Sequence, residues 1–244
     1  MNLKTMVVAA ILLFAALFVT MGIGGEATAL FGQASTPSGG MGGGMMGGMG
    51  MMGGPYPASA HPISTVQAEQ ILREWPAAHR LDGLVLDEVE VYTENIYGQF
   101  KEQSTGRGAI QVLVDRYSGQ AMPEIGPNMM WNTKYGRAMM QAMMDGMGMM
   151  GGMMGGGMAS QPSPTPSSAQ VTEAQARQNA NRFLAGYNPG ATVGDADTFY
   201  GYYHFDVMRG GRQVGMLSVN ASTGQVWYHT WHGEFLVKHE VSQP

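Results

Sequence analysis

Apolar residues recur at helical spacing in two stretches of the chain. Ala68, Ile71, Leu72 and Trp75 fall at i, i+3, i+4 and i+7, and Ala176, Ala180, Phe183 and Leu184 mark a matching face further on. Each stripe starts after a capping-box pattern, Ser64-Thr-Val-Gln67 and Thr172-Glu-Ala-Gln175. In such a box the hydroxyl accepts from the amide three residues on, and the Gln reaches back to the cap, so that donors at the helix start are satisfied. Pro76 is expected to stop the first helix, and Gly186 with Pro189 the second.

Alternating patterns follow each helix. The first set is Val89-Glu-Val91-Tyr92 and Ala109 to Asp115, the latter running into the turn Arg116-Tyr-Ser-Gly119. The second is Tyr200 to Met208, a hairpin at Arg209-Gly210-Gly211-Arg212, Gln213 to Val219, a turn from Asn220 to Gly224, and Gln225 to Trp231. The offset between the two helix starts and that between the two turn glycines differ by only three positions, the mark of an internal repeat. The fold class expected is α+β: two copies of a helix packed on a small antiparallel sheet, joined by disordered Met/Gly-rich linkers.

The spacing of Gly210-Gly211 pairs Phe205 with Met216 and places Tyr202, His204, Leu217, Val219, Trp227 and Trp231 on the opposite face. Both faces of that sheet are then apolar, and one helix covers only one of them. The first module, a second chain or a bound partner must cover the other.

Composition restricts what lies between these elements. Of 244 residues, 37 are Gly and 24 are Met, and most of the Met fall in two glycine-rich runs, Met41 to Met52 and Met129 to Met158. The division expected is therefore 1–29 signal peptide or membrane anchor, 30–62 Met/Gly-rich linker, 63–136 first module, 137–169 Met/Gly-rich and Pro/Ser linker, 170–236 second module, and 237–244 tail. A net charge of -5 with 13% charged residues offers no basic face for nucleic acid. The absence of Cys excludes disulfides, thiolate nucleophiles, iron–sulfur clusters and cysteine zinc sites.

Met6 to Ile23 carries no charge and follows a single Lys4, which reads as an export signal or a membrane anchor, with Ala27-Thr-Ala29 as a cleavage pattern. Either way the bulk of the chain is expected to be secreted or membrane-anchored on the extracytoplasmic side.

At Val112-Leu-Val-Asp115 through Gly119-Gln120, and again at Leu217-Ser-Val-Asn220 through Gly224-Gln225-Val226, the chain resembles the PepSY family. The resemblance covers roughly Ile63 to Met122 and Val171 to Trp231. It implies non-catalytic, envelope-located modules that contact a peptide, a peptidase or another envelope protein, sometimes as inhibitors. The first copy departs from the pattern in the loose tip Ser104-Thr-Gly-Arg-Gly108 and in Pro123.

No hydrolase elbow, zincin helix or phosphate loop is present. Asp87, Glu88 and Glu90 read as a solvated strand face. His229 and His232, at i and i+3 of a strand, are expected to point to opposite faces and not to chelate together. The aromatic face is the expected partner-binding surface: Tyr202, His204, Trp227, His229 and Trp231. Pairing of the two modules, or a homodimer, is the other use open to it.

The alternative function rests on thioethers, neutral ligands suited to Cu(I) or Ag(I). Met139, Met140, Met143 and Met144 fall at i, i+3 and i+4 if helical, and Met147 and Met149 could add ligands from a loop. No other cofactor is expected.

Overall fold

The computed structural model describes residues 56–146 and 170–241. Met6 to Ile23, the first Met-rich run, Met147 and Met149 lie outside the described residues.

Helix α1 (Thr65–Ala78) forms with the capping box at Ser64 and Gln67, and α4 (Glu173–Tyr187) with the one at Thr172 and Gln175. The expected faces are buried: Ala68, Leu72 and Trp75 on α1, and Ala176, Ala180 and Leu184 on α4. Helix α1 passes through Pro76 and ends two residues later at a His79 cap. Proline cannot donate within a helix, but here it sits in the last turn, where the ladder is about to end anyway.

Strands β1 (Leu84–Tyr92), β2 (Asn95–Glu102), β3 (Gly108–Asp115) and β4 (Ala121–Pro123) are joined by a late strand, β9 (Phe235–Glu240), in the order β4-β3-β2-β1-β9. The second sheet contains β5 (Thr192–Thr198), β6 (Tyr202–Arg209), β7 (Arg212–Asn220) and β8 (Val226–Tyr228) in sequence order. Named pairs in both sheets are antiparallel.

The period of two along a strand sorts the side chains. In β2, Ile96 and Phe100 join α1 in one apolar core, while Tyr97 and Gln99 lie on the other face. In β6 and β7, Phe205, Val207, Leu217 and Val219 join α4 in another core. The remaining faces meet in a third cluster of Tyr92, Tyr97, Leu113 and Met216. The layers thus run helix, sheet, sheet, helix, and the first sheet covers the second sheet's free face.

The β6–β7 hairpin turns at Gly210 and Gly211, whose φ values of 56° and 78° suit a two-residue turn. Its register differs from the expected one. A bulge between Val207 and Met208 pairs Phe205 with Leu217 and Asp206 with Met216. Leu217 and Val219 therefore pack toward α4, and Met216 and Ser218 take the inner face.

Two segments read as linker and tail are structured. Short α2 (Pro127–Met130), within the expected first module, follows β4; α3 (Gly136–Gly146) then takes up the start of the expected linker, with its Met139 fully buried in the α1 core. Residues 237–240, read as tail, belong to β9. Among the described residues, no helix is long and apolar enough to cross a membrane.

Candidate functional site

The layer between the sheets is polar at one end. Glu124 follows β4, and its amide donates to the Gln111 carbonyl at 2.9 Å, which continues the β3–β4 ladder by one residue. His229 follows β8 in the same manner, with its amide on Met216 O at 3.0 Å. The chain then leaves the second sheet and is caught by the β1–β2 turn: Glu94 N donates to His232 O at 3.1 Å, and Thr93 N to Glu234 O at 2.9 Å.

This departure overturns the expectation that His229 and His232 diverge. Strand alternation holds only while the strand lasts, and β8 ends at Tyr228. His229 Nδ1 lies 3.0 Å and His232 Nε2 2.9 Å from the same oxygen, Glu124 Oε1. The indole Nε1–H of Trp231 donates to that oxygen at 3.1 Å. Glu124, His229 and His232 are all buried, and their facing ligand atoms lie within 4.8 Å of one another, so the three could hold a metal ion.

The far side of His229 continues the network. Its Nε2 is 3.1 Å from Ser218 Oγ, which is 3.4 Å from His204 Nδ1. Gln111 Nε2 donates to His204 Nδ1 at 3.2 Å and to the Tyr97 hydroxyl at 2.6 Å, while Gln111 Oε1 accepts from the Tyr202 hydroxyl at 2.8 Å. Residues from both sheets thus pair with one another in a buried layer, while Glu124 Oε2, His204 Nε2 and Gln99 Nε2 are buried there without a hydrogen-bond partner.

Electrostatics follow from that burial. Burial acts to raise the Glu124 pKa, but His229 and His232 outweigh it and hold the carboxyl well below its usual range. Burial lowers His232, against the pull of Glu124. Burial, followed by the His229 charge, pushes His204 down to about 3, so its imidazole is neutral.

Ser218, His229 and Glu124 are connected in the order of a serine hydrolase triad: hydroxyl to imidazole to carboxylate. Ser218 lies in the middle of β7 with 0% of its surface exposed. An acyl substrate has no approach to that hydroxyl.

The five residues expected to bind a partner all line this joint. Tyr202, His204 and His229 are buried. Trp227 and Trp231 are half-buried; Trp227 meets Trp131 edge to face at 5.7 Å, and Trp231 stacks on His229 at 4.7 Å. Of the methionines on α3, Met139 and Met143 pack into the α1 core, Met140 is exposed and Met144 is half-buried. The helix therefore divides that set between its inner and outer faces.

Glu124, Gln111, Asn95 and Ser218 were not expected at the site. They lie far apart in sequence, and no spacing rule joins them. The usable signal was the uncovered face of the second sheet, which required polar partners for His204 and His229.

Two further ionic clusters join the sheets. Lys238 lies 2.8 Å from Glu88, 3.3 Å from Glu90 and 3.1 Å from Asp206, so of the acids read as a solvated strand face Glu88 and Glu90 are covered, while Asp87 stays half-buried and pairs with Lys101 at 2.7 Å. Glu102 accepts from Lys134, from the Tyr135 hydroxyl at 2.5 Å, from Tyr200 at 2.7 Å and from Thr105 at 2.8 Å. Burial opposes its ionisation, but these donors bring its pKa down to about 2.

No family model matches the chain, and no curated protein matches it. Among solved structures, the Bacillus megaterium YpeB C-terminal domain superposes with 10% identity over 68% of this chain and a TM-score of 0.22. The match spans 62% of that chain, and at this score it carries no argument about family or role.

Proposed function

We propose that the chain is a non-catalytic envelope protein in which two PepSY-like modules, joined face to face, present a peptide or protein partner-binding surface on their outside. The apolar N-terminal segment exports or anchors it. The observation that carries this reading is the burial of Ser218, His229 and Glu124: the chemistry-bearing residues form the joint between the sheets and have no opening to a substrate.

A binding surface must then lie on the outer faces or edges. Strand β9 ends the first sheet, and among the described residues no strand pairs with its outer edge. Leu236 and Val237 on this strand are 49% and 40% exposed. A free edge with exposed aliphatic side chains suits addition of a partner strand, in which backbone hydrogen bonds give affinity and alternate side chains give selectivity.

A photo-crosslinking residue at Leu236 of the full chain, irradiated in native envelopes, tests this. A discrete adduct from Leu236 and none from Val66, a more exposed position on α1, is the expected result. No adduct, or equal labelling from both positions, would overturn the assignment to this edge.

Soft-metal binding by thioethers ranks second. Two of the four methionines on α3 face the core, which leaves Met140 and Met144, one turn apart, as the described candidates for Cu(I) or Ag(I).

A further inference from the structure

Asn95 fixes the protonation pattern of His232. Its side-chain Nδ2 donates to the backbone carbonyl of Trp231 at 3.0 Å. A carbonyl oxygen only accepts, so the amide cannot be turned over, and Asn95 Oδ1 must be the atom 2.8 Å from His232 Nδ1. Nδ1 therefore carries the hydrogen, and in a neutral ring Nε2 offers a lone pair. That lone pair points at an oxygen of a buried carboxylate 2.9 Å away.

Two like lone pairs at that distance need a positive charge between them. His229 has the same option, because its Nε2 has Ser218 Oγ as an acceptor at 3.1 Å, which frees Nδ1 to face Glu124 as a lone pair. Metal-binding histidines are usually held in this manner, with the far ring N–H on a neutral or anionic acceptor. Glu124 Oε1 is approached by three nitrogens, while Oε2 is buried and has no hydrogen-bond partner. A proton added to His232 would leave Oε2 bare, whereas an ion could take both oxygens or allow the carboxylate to swing.

We infer that Glu124, His229 and His232 form a binding site for one borderline first-row divalent cation of the Zn(II) type. Two imidazoles and one carboxylate are the ligands such ions take, and the absence of sulfur disfavours Cu(I). Ligand atoms 2.9–3.0 Å apart subtend about 90° at an ion about 2.1 Å from each. The ion would join Glu124, from the end of the first module, to two histidines from the segment between β8 and β9. It acts as a cross-link within the joint, and it is separate from the thioether set.

The test uses the full chain, purified in detergent and stripped with a chelator. Titration with Co(II) should give visible absorption saturating at one ion per chain, displaced by Zn(II), and Zn(II) should raise the unfolding midpoint. The His229 and His232 ring signals in an NMR spectrum should shift in the same titration. Asn95→Ala should weaken the ion about 10–100-fold, as loss of an outer hydrogen bond does, and Glu124→Gln should abolish the absorption. Leu substitutions at Met139, Met140, Met143 and Met144 should leave it unchanged.

Absence of Co(II) absorption and of any Zn(II)-dependent stabilisation in the natural sequence would overturn the site. So would an ion whose binding persists in folded Glu124→Gln or is lost with the methionines. Because the absorption and NMR readouts use the natural sequence, a variant that fails to fold does not prevent the decision.

Discussion

Lys238 stands directly opposite Glu90 in the β1–β9 ladder, yet its ammonium is closer to Glu88, at 2.8 Å, than to Glu90, at 3.3 Å. With Asp206 at 3.1 Å, one cation serves three carboxylates in a covered layer. Burial first, and then the Glu90 charge, push Glu88 up to about 8 and Asp206 up to about 6.

A pH dependence follows. Both acids hold protons more tightly when folded, so their contribution is complete below the unfolded values of 4.5 and 3.8 and is lost as pH rises through about 8 and about 6. Glu102 has the opposite sign, since its pKa of about 2 lies below 4.5 and its contribution is lost as pH falls between them. Denaturant midpoints should therefore be highest in mildly acidic buffer and decline toward pH 8. In Glu88→Gln the alkaline decline should be shallower.

Gln111 supports the joint through one side chain that meets Tyr97, Tyr202 and His204. Gln111→Met keeps the volume but strands polar atoms in the layer, at about 1–3 kcal/mol for a buried group left unsatisfied. Equilibrium unfolding should show a loss in this range. A loss below about 0.5 kcal/mol would mean that the polar layer is not what joins the sheets.

Gly98 is set by close approach. A Cβ there would lie 2.6 Å and 2.7 Å from the two methyl carbons of Leu72, a fully buried residue of α1. Gly98→Ala should cost about 1–3 kcal/mol by overpacking. Combining it with Leu72→Val should recover part of that loss, and a double-mutant cycle measures the coupling.

The two capping boxes give a paired test. Ser64→Ala and Thr172→Ala should each cost about 1 kcal/mol, since each removes the acceptor for the third helical amide. Thermal unfolding of the single and double variants checks both magnitude and additivity.

Ser218→Ala should have no effect on reactivity toward a fluorophosphonate probe, because the natural sequence should not react. Covalent labelling at Ser218 would show that the sheets separate enough to admit an acyl substrate, and the non-catalytic reading would fail.

The helices were legible because their signals are local. Ser64 and Gln67, or Ala176 and Ala180, lie within a turn of one another, and caps and periodicity act at that range. The need for a cover over the second sheet was legible too, from the aromatic residues on its free face. What covers it was not, since Gln111 and Tyr202 lie 91 residues apart and Glu124 and His229 105, in different modules. Strand β2 escaped notice because Tyr97 and Gln99 face a second sheet, where the polar–apolar alternation of a half-exposed strand no longer applies. The same cover explains why Glu88 and Glu90, exposed by pattern, are buried in fact. A single bulge at Val207 moved Leu217 to the opposite face from the one its count predicted.

Strand β9 has a temporal meaning. Among the described residues it is the last strand to be made, yet it completes the first sheet, pairing Val89 with His239. As the chain emerges from its N-terminus, β1 must wait for residues 235–240 before its outer edge is paired. At ordinary synthesis rates that wait is on the order of ten seconds, long enough for an unpaired edge to meet other nascent chains. The same order makes residues 235–240 a poor place for truncation, since a stop codon before Phe235 would release a chain whose β1 edge stays unpaired. Any chaperone that protects the nascent chain should bind the β1 edge and leave when residues 235–240 arrive.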